Sequence, residues 1–215
     1  MAGMVVKPIS ATEAVAATLR ERIFDGLIAP GARLPEQELA DDFGVARPTV
    51  RAAIQNLCHE GLLQRERNRS AVVPKLGEED VRDLFSVRIP LECQIVRQVL
   101  ERRVPLDGVE EAIERLARLT PQSPWSAVVD ADLGFHFALA HATGSLRLER
   151  VYRSLSGEIR LCIAQLRPAW SSPAEMAAEH RMLLDVIESA DVEDAVARMT
   201  AHLERAVHDL TSPSR

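Results

Sequence analysis

Four ionisable residues stand where apolar ones are expected: Asp132, His136, His180 and His202. Asp132 and His136 are four apart, so their side chains share a helical face about 6 Å apart. Val128, Val129, Phe135, Leu139 and Ala140 mark that face as the inward one. His180 is in register with Leu183, Leu184 and Ile187, and His202 with Ala195, Met199 and Ala206. Burying one such group without a partner costs roughly 1–3 kcal/mol. A lone buried histidine is ordinarily a core residue satisfied by a carbonyl or carboxylate. Four at matched spacing need a common explanation. His180 lies 11 residues before Asp191 and His202 lies 11 after it. Asp191 opens a turn between two helical patterns, and residues equidistant from an antiparallel turn stand level. Three imidazole nitrogens and one carboxylate oxygen suit zinc first, with nickel, manganese or iron as alternatives. Arg88 falls one turn after Leu84. It is a candidate to grip a carboxylate effector with two hydrogen bonds, or else to pair with Glu92 one turn on. Glu179 is a weak candidate for a group supporting the metal ligands. His59, His141 and His208 lack such placement.

A second constellation lies at Arg47–Leu63, RPTVRAAIQNLCHEGLL. Val50, Ala53, Ile54 and Leu57 have the spacing of one buried helical stripe. Pro48 belongs in a first turn, where its missing N–H costs nothing, and Gly61 stops the helix. Arg47, Thr49 and Arg51 crowd the N-terminal end, off the stripe. Phe43-Gly44-Val45 precedes them as the turn after a short helix, Glu36 to Phe43. This is the order of a helix-turn-helix, whose second helix enters a DNA major groove. Arg47 and Arg51 are the candidates for bidentate contacts to guanine O6 and N7. Thr49 suits a thymine methyl or a phosphate, and Gln37 the DNA backbone. Leu62-Leu63 and Ala71-Val72-Val73 bracket Arg65–Ser70 and read as a two-stranded hairpin, a wing. At its tip Arg67, Asn68 and Arg69 could follow a phosphate or enter the minor groove. A solvated arginine face on an ordinary helical domain is the competing reading, and the helix–Gly–helix–wing order argues against it.

The chain has 215 residues and a net charge of −6, which at first argues against nucleic acid. The distribution answers this. Residues 1–75 hold ten Lys/Arg against nine Asp/Glu, and residues 76–215 hold 16 against 23. Between 47 and 75 there are six basic residues and two acidic ones. Phosphate attraction is local because salt screens it. Cys58, Cys93 and Cys162 are distant and odd in number, which points to reduced thiols and not to a disulfide framework. No signal pattern and no stretch of 18 apolar residues occurs, so a cytoplasmic, nucleoid-associated protein with no membrane partner is expected.

The elements that must position these residues are mostly helical. Aromatic residues are only 4%, while Ala, Leu, Arg and Glu abound, which favours helices over sheets. Ser10 and Glu13 form a possible capping box for a first helix ending near Asp25-Gly26. Past a linker, helical patterns run near 80–103, 107–119, 125–143, 146–168, 174–189 and 191–210. Pro90 should kink or divide the first of them. The expected fold is mainly α. Residues 1–74 form a winged helix-turn-helix, 75–79 a linker, and 80–215 an all-α antiparallel bundle.

The residues together resemble the GntR family of bacterial regulators, in the FadR-type branch with an all-helical C-terminal effector domain. The resemblance rests on Asp25–Leu34, Glu38-Leu39-Ala40, Phe43-Gly44-Val45, Arg47 and Arg51. In the second half it rests on Arg88-Ile89-Pro90-Leu91-Glu92, Asp132–His136, Glu179-His180 and His202. It spans about residues 10 to 208. Ala46 stands where the family usually has Ser or Thr, Pro48-Thr49 inverts the usual order, and Ser70 and Ser145 replace the wing glycine and a bundle asparagine. The resemblance implies a homodimer on a pseudo-palindromic operator, a metal at Asp132, His136, His180 and His202, and control by a small organic acid. It implies a regulator, more often a repressor, and no enzyme. A metal-dependent hydrolase is the rival from another class, although no His-Glu-x-x-His occurs. A regulator with a purely structural metal is the third reading.

Overall fold

The computed structural model describes residues 10–66, 69–166, 172–189 and 191–212. The chain divides into two compact units, Met1–Lys75 and Leu76–Arg215. Among the described residues no helix is long and apolar enough to cross a membrane.

Among its described residues the first unit holds three helices, α1 (Ala11–Phe24), α2 (Glu36–Phe43) and α3 (Arg47–His59), with strands β1 (Arg33–Leu34) and β2 (Ala71–Val72). Ser10 caps α1 by accepting from the Glu13 N–H at 3.1 Å. Gly44 ends α2 in the left-handed region, φ 64°, which a β-carbon would disfavour. Both α1 and α2 pack on α3, and Val50, Ala53, Ile54 and Leu57 are the buried stripe of α3. The wing differs from the expected hairpin. β2 pairs antiparallel with β1, and the chain after α3 contributes only a bridge between Gln64 and Val72. Leu62 and Leu63 cannot serve as a strand because both their N–H groups close the helix on the Leu57 carbonyl. Both side chains are also buried, where a strand would alternate them. Arg67 and Asn68 lie outside the described residues.

Among its described residues the regular elements of the second unit are all helices: α4 (Glu78–Arg102), α5 (Asp107–Ala117), α6 (Trp125–Ala142), α7 (Leu146–Leu166), α8 (Pro173–Ser189) and α9 (Val192–Thr211). Asp80 accepts from the Gly77 N–H at 2.8 Å at the start of α4, and Asp191 accepts from Glu193 and Asp194 at the start of α9. Pro90 does not divide α4, which runs on as one helix. The ring is exposed, so the buried face of α4 continues from Phe85 through Arg88 and Glu92 to Ile95, Val96 and Val99. α4 lies against α9, α5 against α6 and α8, and α6 against α7. Their shared core is apolar at Phe85, Phe135, Leu139, Leu183 and Met199, and Arg88 and Glu92 on α4, Asp132 and His136 on α6 and His180 on α8 are buried with it. Cys58, Cys93 and Cys162 are free thiols on three different helices.

Candidate metal centre and nucleic-acid interface

The helical unit brings three of its predicted ligands together. His136 on α6, His180 on α8 and His202 on α9 place one ring nitrogen each within 4.8 Å of one another. Ring centroids are 5.2 to 5.3 Å apart for all three pairs. Asp132, one turn before His136, sets its Oδ1 3.5 Å from His180 Nε2. The level placement of His180 and His202 follows from their equal distance to the turn at Asp191. His136 and His180 are 1% exposed, and Asp132 is 9% exposed.

Two carboxylates orient the rings. Glu92 on α4 places Oε2 2.6 Å from His136 Nδ1, and its Oε1 accepts from Arg88 Nε at 2.6 Å. Burial opposes ionisation of Glu92, but the His136 ring and the Arg88 guanidinium outweigh it and hold the carboxyl well below the usual range. An ionised carboxylate only accepts, so His136 Nδ1 carries the proton. Burial depresses the His136 pKa, against the opposing pull of Glu92. With Nδ1 held by Glu92, Nε2 is the nitrogen left on the far side of the ring from it. On α8, Glu179 lies 3.4 Å from His202 Nδ1 and 3.0 Å from Arg205, and the His202 contact lowers its pKa. Glu179 thereby engages Nδ1 of His202 as Glu92 engages Nδ1 of His136. Such carboxylate–histidine pairs fix the tautomer that binds a metal.

His180 is different. Both of its nitrogens are buried with no hydrogen-bond partner among the described residues. Its ring is held instead by stacking on Phe135, centroid to centroid 4.4 Å. Burial, followed by the two other imidazoles, pushes its pKa well below the ordinary value. Burial also raises the pKa of Asp132, while His136 pulls it down. An orphaned neutral imidazole beside two oriented ones and a carboxylate is a donor set that fits a divalent transition metal. Arg88, Asp132, His136 and His202 share the wall of a cavity of about 30 Å³ with Phe85 and Trp125. Tyr152 on α7 is buried in the same charged surroundings, and burial raises its pKa well above the ordinary value.

Sequence reasoning missed Glu92 as an orienting group and Tyr152 altogether. The signal for Glu92 was its place one turn after Arg88. Glu179, weakly placed beforehand, contacts a ligand candidate directly.

In the first unit, α3 exposes Arg47 and Arg51, with side chains 55% and 48% accessible. Thr49 between them is half-buried. Both arginines reach back to Glu36, the first residue of α2, whose side chain is 6% exposed. Arg65, after α3, reaches the same carboxylate at 2.7 Å. Hydrogen bonds from Arg51 lower the Glu36 pKa first, burial opposes, and Arg65 and Arg47 add to Arg51, leaving it at about 2. Glu36 was not singled out from sequence, because an acidic residue at a helix start ordinarily answers the helix dipole. Gln37 is exposed and donates its amide to Asp41 at 3.0 Å. Arg69 is exposed and pairs with Glu66 at 2.6 Å. Ala46 precedes α3 without a side-chain cap. The surface therefore offers guanidinium groups on the N-terminal half of an exposed helix, a chemistry suited to base edges and phosphates.

Comparison with known proteins agrees in both units. Residues 11–73 match the model of the bacterial regulatory proteins of the gntR family, and residues 83–205 match the FCD domain. The HTH-type transcriptional regulator BphR of Paraburkholderia xenovorans is 30% identical over 92% of this chain and 84% of its own. The gluconate operon transcriptional repressor of Bacillus subtilis is 26% identical, covering 82% of this chain and 75% of that protein. A crystal structure of a GntR transcriptional regulator from Rhodococcus sp. RHA1 superposes with a TM-score of 0.80 at 30% identity, covering 95% of this chain and 99% of that one. These relatives are transcriptional regulators and not enzymes, and the chain belongs to the GntR family, with an FCD domain following its helix-turn-helix.

Proposed function

We propose that this regulator is a repressor that binds a pseudo-palindromic operator as a homodimer, under the control of a small organic acid sensed at a metal site. Arg47 and Arg51 would read guanines, Thr49 and Gln37 would contact the DNA nearby, and Arg67, Asn68 and Arg69 would follow the backbone or minor groove. A two-fold dimer places two such helices on half-sites related by the same symmetry. Kinship with a gluconate operon transcriptional repressor supports the sign of regulation.

The observation that carries the sensing half is His180, buried with both nitrogens unsatisfied among the described residues, facing Asp132 and two imidazoles already oriented by carboxylates. Asp132, His136, His180 and His202 would hold the ion, zinc first and nickel, manganese or iron next. When bound, the ion supplies a Lewis-acidic point for a carboxylate oxygen. Arg88 keeps Nε on Glu92 and lies in the cavity wall, where its remaining donors suit an acid's carboxylate. A cavity of about 30 Å³ has room for a water molecule or two and none for an organic acid. Admitting the acid must therefore widen the bundle. A ligand that binds only the wide form shifts the population toward it.

That same small cavity favours a second reading, a structural metal with no effector. The test is operator binding by the purified protein, with its metal content determined, before and after chelation and with a series of short hydroxy and dicarboxylic acids. Release from DNA by an acid only when metal is present supports sensing. Unfolding of the bundle on chelation, with no response to any acid, supports a structural ion.

A further inference from the structure

Glu36 holds the two exposed arginines of α3 in one particular way. Arg51 gives it Nε and Nη2, at 3.1 and 2.9 Å to Oε2. Arg47 gives it Nε alone at 3.1 Å. A guanidinium has five N–H groups in a rigid fork. Taking Nε leaves each arginine with its terminal pair, one N–H on Nη1 and one on Nη2, directed away from the carboxylate. No described residue accepts from either pair. That pair is the fork that fits guanine O6 and N7. Arg65 donates Nη2 to Glu36 and Nε to the Arg69 carbonyl, so the chain after α3 is tied to the same anchor.

We infer that Glu36 is a positioning residue for sequence discrimination: it aims the free forks of Arg47 and Arg51 and touches no base itself. The inference rests on the reading that these arginines contact bases. An arginine side chain left loose falls onto the nearest phosphate, because phosphate attraction needs no fixed geometry. Held by Nε, it can discriminate. Glu36 also cancels one positive charge beside the DNA. Its presence therefore lowers general affinity while it raises selectivity, a pairing of effects that a merely structural residue does not produce.

The experiment measures binding of the full chain to two duplexes by fluorescence anisotropy. One is a duplex selected from a random library by the wild-type protein, and the other is the same composition scrambled. For Glu36→Gln, affinity for the scrambled duplex is expected to stay level or rise. The ratio of the two affinities should fall roughly ten- to a hundredfold. The salt dependence of scrambled-duplex binding should steepen by about one unit for each arginine released onto phosphate. Parallel loss on both duplexes, or an unchanged ratio, overturns the inference. Glu36→Asp serves if Glu36→Gln does not fold: it keeps the charge but is one methylene too short to reach all three arginines. A wild-type ratio in that variant overturns the inference equally. Arg51→Ala is the separate control. If it keeps the ratio, the base-contact reading falls, whatever Glu36 does.

Discussion

Glu92 and His136 meet from α4 and α6 with carboxylate Oε2 2.6 Å from ring Nδ1, both side chains almost wholly buried. The contact fixes which nitrogen of His136 is left to bind a metal. Glu92→Gln keeps the shape and an acceptor for Arg88, but it sets an amide N–H against Nδ1. His136 must then move its proton to Nε2, the nitrogen needed for ligation. Metal affinity should fall about 10- to 100-fold, in the range seen for groups behind metal-binding histidines. Competition with a chromophoric chelator measures it. Unchanged affinity in a folded variant would mean that His136 is not a ligand.

His180 tests the site from the other side. Without metal, its two buried nitrogens are a liability of about 1–3 kcal/mol each. His180→Leu removes both and keeps an apolar body against Phe135. The variant should bind no metal, yet the metal-free bundle should unfold at a temperature no lower than that of metal-free wild type. Wild type with excess metal should exceed metal-free wild type by about 2.7 kcal/mol at a hundredfold excess over Kd. Thermal unfolding of the three samples decides. A large loss in metal-free His180→Leu would show that the imidazole serves the fold and not an ion.

Much of this was legible in the sequence because it depends on periodicity. Val50, Ala53, Ile54 and Leu57 mark one face of α3, and that stripe alone predicts which arginines are exposed. His180 and His202 were paired by counting from Asp191, since a helical hairpin turns equal sequence distance into equal height. What escaped depends on tertiary packing. The Glu36 side chain is buried because α3 and the chain at Arg65 close over it, and helix-start statistics carry no hint of that. Glu92 meets His136 across 44 residues of sequence. The pairing of β2 with β1, which reduces the local pairing to the single Gln64–Val72 bridge, is likewise a long-range choice, made because Leu62 and Leu63 were needed in the core.

Glu36 also sets a pH signature. Its folded-state pKa is lowered from 4.5 to about 2, so the folded unit binds fewer protons than the unfolded chain across that window. The stabilisation is complete above pH 4.5 and is lost as pH falls through about 2. Its size is less than the ~3 kcal/mol such a shift would give if all partners were dry, because Arg47 and Arg51 are half in water. Unfolding of the first unit, followed from pH 6 to pH 2, should show this acid loss in wild type and a smaller one in Glu36→Gln. Equal slopes would remove Glu36 from the balance.

Arg51 and Arg69 should fail differently, and the difference separates base reading from backbone contact. Arg51 is 48% exposed, and its partner Glu36 keeps Arg47 and Arg65, so Arg51→Ala should leave the fold intact. Removing a bidentate guanine contact costs about 1–3 kcal/mol on the preferred duplex and little on a scrambled one. Arg69 lies beyond α3, 65% exposed, with only Glu66 as an ion-pair partner among the described residues. Arg69→Ala should weaken binding to every duplex alike and reduce the salt slope by about one. Titrations at several salt concentrations on both duplexes read out both quantities at once. If Arg69→Ala were the variant that lost discrimination, the reading element would be the wing and not α3.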